Sequence, residues 1–311
     1  MLRGRARRAA LAAMAALVGM LLAGCDRQPE RPPPEDPRRP TITVASFDFP
    51  ESQTLAEIYG QALRQRGYPV DVVEALGSRE IVGPALEQGR VDLAVEYLGT
   101  ALNFLSDRNR AATADPVATH ARLEQTLGPR GLSVLAFAPA QDRNGFVVTG
   151  DLARTRRLQK ISDLVPIASQ LVIGGPGECP DRPLCLKGLE EVYGLKFARF
   201  VPMPSRTVTA VALEAGEIQV GMLETTDGNL ASRDLVQLVD DRNLQPAENV
   251  VPVVRQEIVA AYGPRLVRVL NAVTAELTTF DLIGLNRRVE LDGEDPAAVA
   301  SAWLRLHPLA D

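Results

Sequence analysis

The chain is poor in the residues from which most catalytic and metal centres are built. It has two histidines, His120 and His307, and three cysteines in 311 residues. That scarcity argues against His-rich metal sites and against hydrolytic triads that need a histidine base. Aromatic residues make up only 5% of the chain. An excess of positive charge is also missing. Lys and Arg number 34 against 39 Asp and Glu, a formal net charge of −5, so no general electrostatic pull toward nucleic acid exists. There is no G-x-S-x-G, no P-loop, no G-x-G-x-x-G and no H-E-x-x-H; that absence does not exclude an enzyme, but nothing argues for one, and no catalytic residue, cofactor or metal is expected. What remains is an ordinary globular composition, 46% hydrophobic and 23% charged. A chain of this length allows one large domain or two lobes.

The N-terminus reads as an address. Arg3, Arg5, Arg7 and Arg8 precede an apolar stretch of 14 residues, Ala9–Leu22. That is too short to span a bilayer comfortably and suits the apolar core of a signal peptide. It ends in Leu22-Ala23-Gly24-Cys25, which resembles a bacterial lipobox, with Cys25 as the lipidated residue after cleavage of residues 1–24. An ordinary signal peptide or a membrane anchor with a chance cysteine is the alternative. The removed segment holds four arginines and no acid, so the mature charge would fall from −5 to −9. Of the next 15 residues, 26–40, six are proline and eight are charged. Nothing there can pack, so residues 25–40 read as a lipidated cysteine and an extended tether. At about 3 Å per residue it would hold a folded part beginning at Thr41 roughly 45 Å from the membrane.

From Thr41 the text alternates strand and helix. Thr41–Ala45 is a β-branched run. Leu55, Ile58, Tyr59, Ala62 and Leu63 form the stripe of an amphipathic helix, and Gly67 closes it. Val70–Val73 and Val91–Val95 give two more strands around a helix for which Ser78 is a candidate N-cap. Strands are also expected at 132–137, 145–148, 171–173, 218–223, 235–239 and 250–254. Helices are expected at 186–193, 207–215, 264–278 and 296–306. Two α/β blocks with mostly parallel sheets follow, then a helical tail returning to the first.

In such sheets ligands bind beyond the carboxyl ends of strands. Those segments are Ser46–Phe49, Leu76–Ser78, Glu96–Thr100, Gly174–Arg182 and Glu224–Gly228. Tyr97 offers an aromatic face that can hold a cation, or is simply half-buried packing. Cys179 and Cys185, six apart in an exported chain, form a small disulfide loop by default, with two free thiols as the alternative. Such a loop would hold Arg182, a fork donor suited to a carboxylate, although a solvated surface arginine is the commoner fate. Thr225-Thr226-Asp227-Gly228 offers hydroxyl and carboxylate contacts, or is only turn chemistry.

Two stretches together resemble one family. TITVASFDFPESQTLAEIYGQALRQRGYPV, with GSRE and ALEQGRVDLAVEYLGTAL behind it, is similar to the substrate-binding proteins of ABC transporters for glycine betaine, choline and other quaternary amines. VALEAGEIQVGMLETTDGNL with LVDDRNLQPAENVVPVVR is similar to that family's second half. The resemblance implies an α/β, bilobed type II periplasmic-binding-protein fold, two mostly parallel sheets flanked by helices with a ligand cleft between lobes. Lobe 1 would comprise residues 41–143 and lobe 2 residues 144–249, with 250–311 returning to lobe 1. Hinges are expected near Gln141–Asn144 and Glu248–Val251.

In that family an aromatic cage surrounds the ammonium and a basic residue takes the carboxylate. By resemblance Tyr97 and Thr100 match the tyrosine and threonine of an E-Y-T-G-T segment, and Arg182 matches the carboxylate-binding arginine. Phe146 sits where a cage tyrosine often occurs. Phe47, Val211 and Glu224 stand where a lysine and two cage tyrosines are usual. The lobe 2 half of the cage is therefore expected to be dismantled, and Glu224 would favour a protonated amine or guanidinium. The expected cleft comprises Ser46, Phe47, Gly77, Ser78, Tyr97, Thr100, Asn144, Arg182, Glu224, Thr226 and Asp227. The implied partners are a small amine or zwitterion and an ABC permease, with the membrane reached through the lipid, no nucleic acid and a monomeric chain at the outer face of the cytoplasmic membrane. The alternatives are a receptor that signals an amine or amino-acid-like ligand to a membrane partner and, more remotely, a surface enzyme on the same fold.

Overall fold

The computed structural model describes residues 39–106 and 111–309. The lipobox, Cys25 and most of the tether lie outside them. Ten strands among the described residues form two five-stranded sheets. The first sheet contains β1 (Ile42–Phe47), β2 (Val70–Gly77), β3 (Leu93–Tyr97), β4 (Leu132–Val134) and β10 (Val250–Arg255). Its order is β2-β1-β3-β10-β4. The second contains β5 (Asn144–Thr149), β6 (Val172–Gly175), β7 (Arg199–Pro202), β8 (Val220–Glu224) and β9 (Leu235–Leu238), in the order β7-β6-β8-β5-β9.

The sheets are mixed, with four strands of each running the same way and one reversed. β1 runs parallel to β2 and β3, but β10 is antiparallel to both β3 and β4. The second sheet repeats the arrangement, with β6 parallel to β7 and β8 while β5 is antiparallel to β8 and β9. The reason lies in connectivity. A strand entered by helical crossover must run parallel, whereas β5 and β10 follow the chain's passage from one sheet to the other and enter from the opposite end. Local patterning does not record that direction.

The first helix, α1 (Pro50–Gln65), shows how sequence builds the scaffold. Pro50 occupies its first turn, where a missing N–H costs nothing. Its apolar stripe Leu55, Ile58, Tyr59, Ala62 and Leu63 is fully buried. Three C-terminal helices cover it: Pro264–Glu276, Thr279–Asn286 and Pro296–Leu306. Tyr59 and Thr274 join hydroxyls at 2.9 Å across that contact. The tail thus shares one core with β1, β3 and β10.

The second sheet has its own core around Phe146, Ile173, Leu189 and Val220. Phe146, matched by resemblance to a cage tyrosine, is one of its largest fully buried side chains. Cys179 and Cys185 are bonded. Two crossing segments connect the sheets. They pair at Gln141 and Asn249, and Asp142 N–H donates to the Glu248 carbonyl at 3.1 Å.

Candidate functional site

The carboxyl ends of β1, β3 and β8 converge on the boundary between the two lobes. Phe49 is the residue before α1, and Glu51 lies in its first turn. Glu51 is buried, and Tyr97 at the end of β3 donates its hydroxyl to Glu51 Oε1 at 2.6 Å. Asn286, at the end of the helix Thr279–Asn286, donates its amide to Glu51 Oε2 at 2.5 Å and to the Thr226 carbonyl at 2.9 Å. A glutamate of lobe 1, an asparagine of the returning tail and the loop after β8 of lobe 2 are thereby tied together.

Around that tie lies a group of carboxyls. Asp142 comes from the first crossing segment, Glu224 and Asp227 from the end of β8, and Glu290 from the turn after the tail helix. Arg206 lies among them. It contacts Glu224 at 3.2 Å, Asp227 at 3.7 Å and Glu290 at 2.9 Å. Burial works against its charge, but the Glu224, Glu290 and Asp227 carboxylates overcome this and hold it firmly protonated. Burial raises Glu51, against hydrogen bonds from Tyr97 and Asn286 that lower it. Asp142 is raised further by burial and by the neighbouring charges of Glu51 and Glu224. Burial likewise raises Glu290, the nearby Arg206 partly offsetting it. The Thr226 hydroxyl lies within reach of both Glu51 and Asp142 but has one proton to give.

Aromatic surface stands beside this group on the lobe 1 side. Phe47 stacks on Phe49 with centroids 5.8 Å apart, and Phe49 meets Tyr97 at 6.2 Å. The Arg79 guanidinium covers the Phe47 ring at 4.8 Å and pairs bidentately with Glu96. A cavity of about 530 Å³ lies alongside, lined by Asn103 and Thr113 of lobe 1, Arg182 and Leu184 of lobe 2, and Asn144 and Gln245. Asn144 is the direct antiparallel partner of Glu224, so both side chains leave the sheet on the same face. Asn144 lines the cavity, whereas none of the five carboxyl groups does.

The structure brings together Phe47, Tyr97, Glu224, Thr226 and Asp227 of the expected cleft, with Asn144 and Arg182 on the adjoining cavity. The other expected residues have local tasks. Ser46 accepts a hydrogen bond from Ala75 N–H at 2.8 Å, and Gly77 ends β2 at φ +143°. Ser78 precedes the helix Arg79–Glu87, but its hydroxyl bonds Glu80 in place of a helix N–H. Thr100 gives both its N–H and its hydroxyl to Glu248, at 2.8 and 2.9 Å. Arg182 is largely exposed and pairs with Glu178 at 3.2 Å. Glu224 already has a cation in Arg206, and Val211 is half exposed on its helix.

Glu51, Asp142, Arg206, Asn286 and Glu290 escaped the sequence reading. One weak signal existed: Glu51 is an acid immediately after Pro50, in the first helical turn beyond a strand. The other four come from a crossing segment, a helix start and the tail. Nothing in their spacing marks convergence.

Comparison with known proteins agrees with this architecture. Residues 40–306 match the OpuAC family, the substrate-binding domain of ABC-type glycine betaine transport systems. The glycine-betaine-binding protein of Pseudomonas aeruginosa is 28% identical over 284 residues, covering 87% of this chain and 89% of that one. The Escherichia coli glycine betaine-binding protein YehZ is 26% identical over 274 residues, covering 85% and 90%. Among solved structures, a glycine betaine/carnitine/choline ABC transporter protein superposes with a TM-score of 0.79 at 25% identity, covering 86% of this chain and 98% of that one. Apo YehZ superposes at 0.78 and 26% identity, covering 86% and 99%. The fold is therefore bilobed and of the periplasmic-binding-protein type. The chain belongs to the OpuAC family of extracytoplasmic solute-binding proteins of ABC importers.

Proposed function

We propose that this chain captures a small quaternary-amine or zwitterionic solute between its lobes and hands it to an ABC permease. The observation that carries this is the meeting of both lobes on cation-attracting chemistry. Three aromatic rings and five carboxyl groups lie where the strands of the two sheets end. The named relatives, glycine betaine-binding proteins, support the same class of solute. Arg182, beside the cavity, would exchange its exposed partner Glu178 for a ligand carboxylate. An exposed pair of that kind is worth little and releases easily.

In this reading residues 1–24 direct export and Cys25 carries the lipid. The tether through residue 40 gives the folded part reach from the outer face of the membrane to the permease. The protein works as a monomer without catalysis. The lobes 41–143 and 144–249 close about the crossings at Gln141–Asn144 and Glu248–Val251, with 250–311 moving as part of lobe 1.

A thermal-shift panel tests the proposal. It includes glycine betaine, proline betaine, choline, carnitine, arginine and a neutral sugar. A solute at 100 times its Kd adds about 2.7 kcal/mol, which raises Tm by about 5–10 °C in a protein of this size. Amines are expected to shift the transition and the sugar is not. A shift with the sugar alone, or with nothing, overturns the assignment.

A further inference from the structure

We infer that a cavity beside the first crossing segment is a second binding site, for a small monocarboxylate, with Arg143 as its anchor. The site lies apart from the carboxyl cluster and does not depend on the function proposed above.

The cavity measures about 210 Å³. One water needs only about 10–15 Å³ of such space, so there is room for a small molecule. Its walls come from the crossing itself (Gln141 and Arg143), from Thr279 of the tail, and from Gln237 and Asp240 of lobe 2. None of the five carboxyl groups of the interlobe cluster lines it.

Arg143 has a fixed backbone and an uncommitted head. Its N–H donates to the Thr225 hydroxyl at 2.9 Å, and its carbonyl accepts from Thr225 N–H at 2.8 Å. Its Nε, however, is buried without a hydrogen-bond partner among the described residues. Other half-buried arginines of the chain are paired, Arg79 with Glu96 and Arg255 with Asp92. A buried donor without an acceptor is costly, and a guanidinium is a fork whose geometry matches a carboxylate.

Gln237 stands next to it. Arg143 and Gly145, two residues apart, leave the same side of the extended segment. A Cβ built on Gly145 would lie 2.5 Å from Gln237 Nε2. The missing side chain thus admits an amide nitrogen beside the arginine, a second donor for the same oxyanion. Gln141, on the same wall, adds a further amide.

Charge sets the ligand class. Arg143 is the one cation among the described lining residues. Asp240 faces the same space, its carboxylate accepting from Leu244 N–H at 3.0 Å and Gln245 N–H at 2.8 Å. A dianion would meet that carboxylate with no second cation to balance it, whereas a monocarboxylate matches the single arginine. The apolar side chains of Phe146, Ile161 and Leu238 complete the lining and suit a short alkyl group.

Thermal unfolding of the purified full chain tests this at constant ionic strength, with sodium acetate replacing sodium chloride stepwise and sodium sulfate as the divalent probe. Acetate carries no ammonium, so its binding is read separately from that of the amine solutes. A saturable rise in Tm is expected, about 3–5 °C at ten times the Kd, with little change in sulfate. Arg143→Gln is expected to remove the rise, and Arg182→Gln, beside the other cavity, to keep it. Gln237→Met keeps the shape without the amide and is expected to weaken acetate by about threefold to tenfold. It decides the matter if Arg143→Gln lacks a native circular-dichroism spectrum, undiminished affinity then overturning the inference. No saturable rise, a rise that survives Arg143→Gln, or one lost in Arg182→Gln also overturns it and leaves the proposed function standing. A rise in sulfate as large as in acetate overturns the carboxylate class.

Discussion

Glu248 shows how a single carboxyl can couple this protein to pH. It lies in the second crossing segment and accepts from Thr100 at the start of the helix Leu98–Leu105. Burial nevertheless pushes its pKa up from 4.5 to about 7, the Thr100 bonds and Arg79 offsetting only part of that. The folded state therefore keeps a proton that the unfolded chain has already released. The stability contributed by this group is fully present below pH 4.5 and is lost as pH rises through the window to about 7. Burial of Glu51 and Asp142 acts in the same direction. The loss from Glu248 is at most about 3 kcal/mol. Denaturant melts between pH 5 and pH 8 are expected to show this slope in the native protein and a shallower one in Glu248→Gln. An unchanged slope in the variant assigns the effect elsewhere. At this scale sequence patterning was weakest. Tyr97, Glu224 and Asp227 were visible because they follow strands, whereas Arg206 and Asn286 became site residues only through contacts with segments far away in sequence.

Among the elements, the loop after β8 and the tail approach each other closely. A Cβ built on Gly228 would lie 2.6 Å from Arg287 Cα and 2.7 Å from its nitrogen. Both are backbone atoms that cannot turn aside. Gly228 has φ −60°, so the requirement is for space and not for backbone freedom. Gly228→Ala is expected to cost about 1–3 kcal/mol by overpacking, read as a lowered midpoint of chemical unfolding. An unaltered midpoint would mean that the tail does not rest on this loop in solution. Most elements were legible locally. The stripe of α1, the glycine after it, and the helix Pro296–Leu306 follow from periodicity and caps. The disulfide followed from cysteine spacing in a chain expected to be exported. Four strands of each sheet run the same way as expected, and only β5 and β10 are reversed, because they take their direction from the crossings.

For the whole molecule, the contact of Tyr97, Glu51, Asn286 and Thr226 joins one lobe to the other. Asn286→Ala removes two hydrogen bonds from that contact, about 1–3 kcal/mol together. Small-angle X-ray scattering of the solute-free variant is expected to give a larger radius of gyration than the native chain. Equal radii would place the restraint on opening elsewhere. The sequence alone determined an α/β chain of two blocks with a helical tail, and the strand ends where chemistry gathers. Those features arise from short-range causes: periodicity, caps, turn residues and composition. Tertiary structure decided that an acid of the first helix, an arginine of the second lobe and an asparagine of the tail share one cluster. It decided too that Glu224 is already paired with Arg206. Packing sets these relations between residues up to 235 positions apart, and local pattern carries no record of such distances.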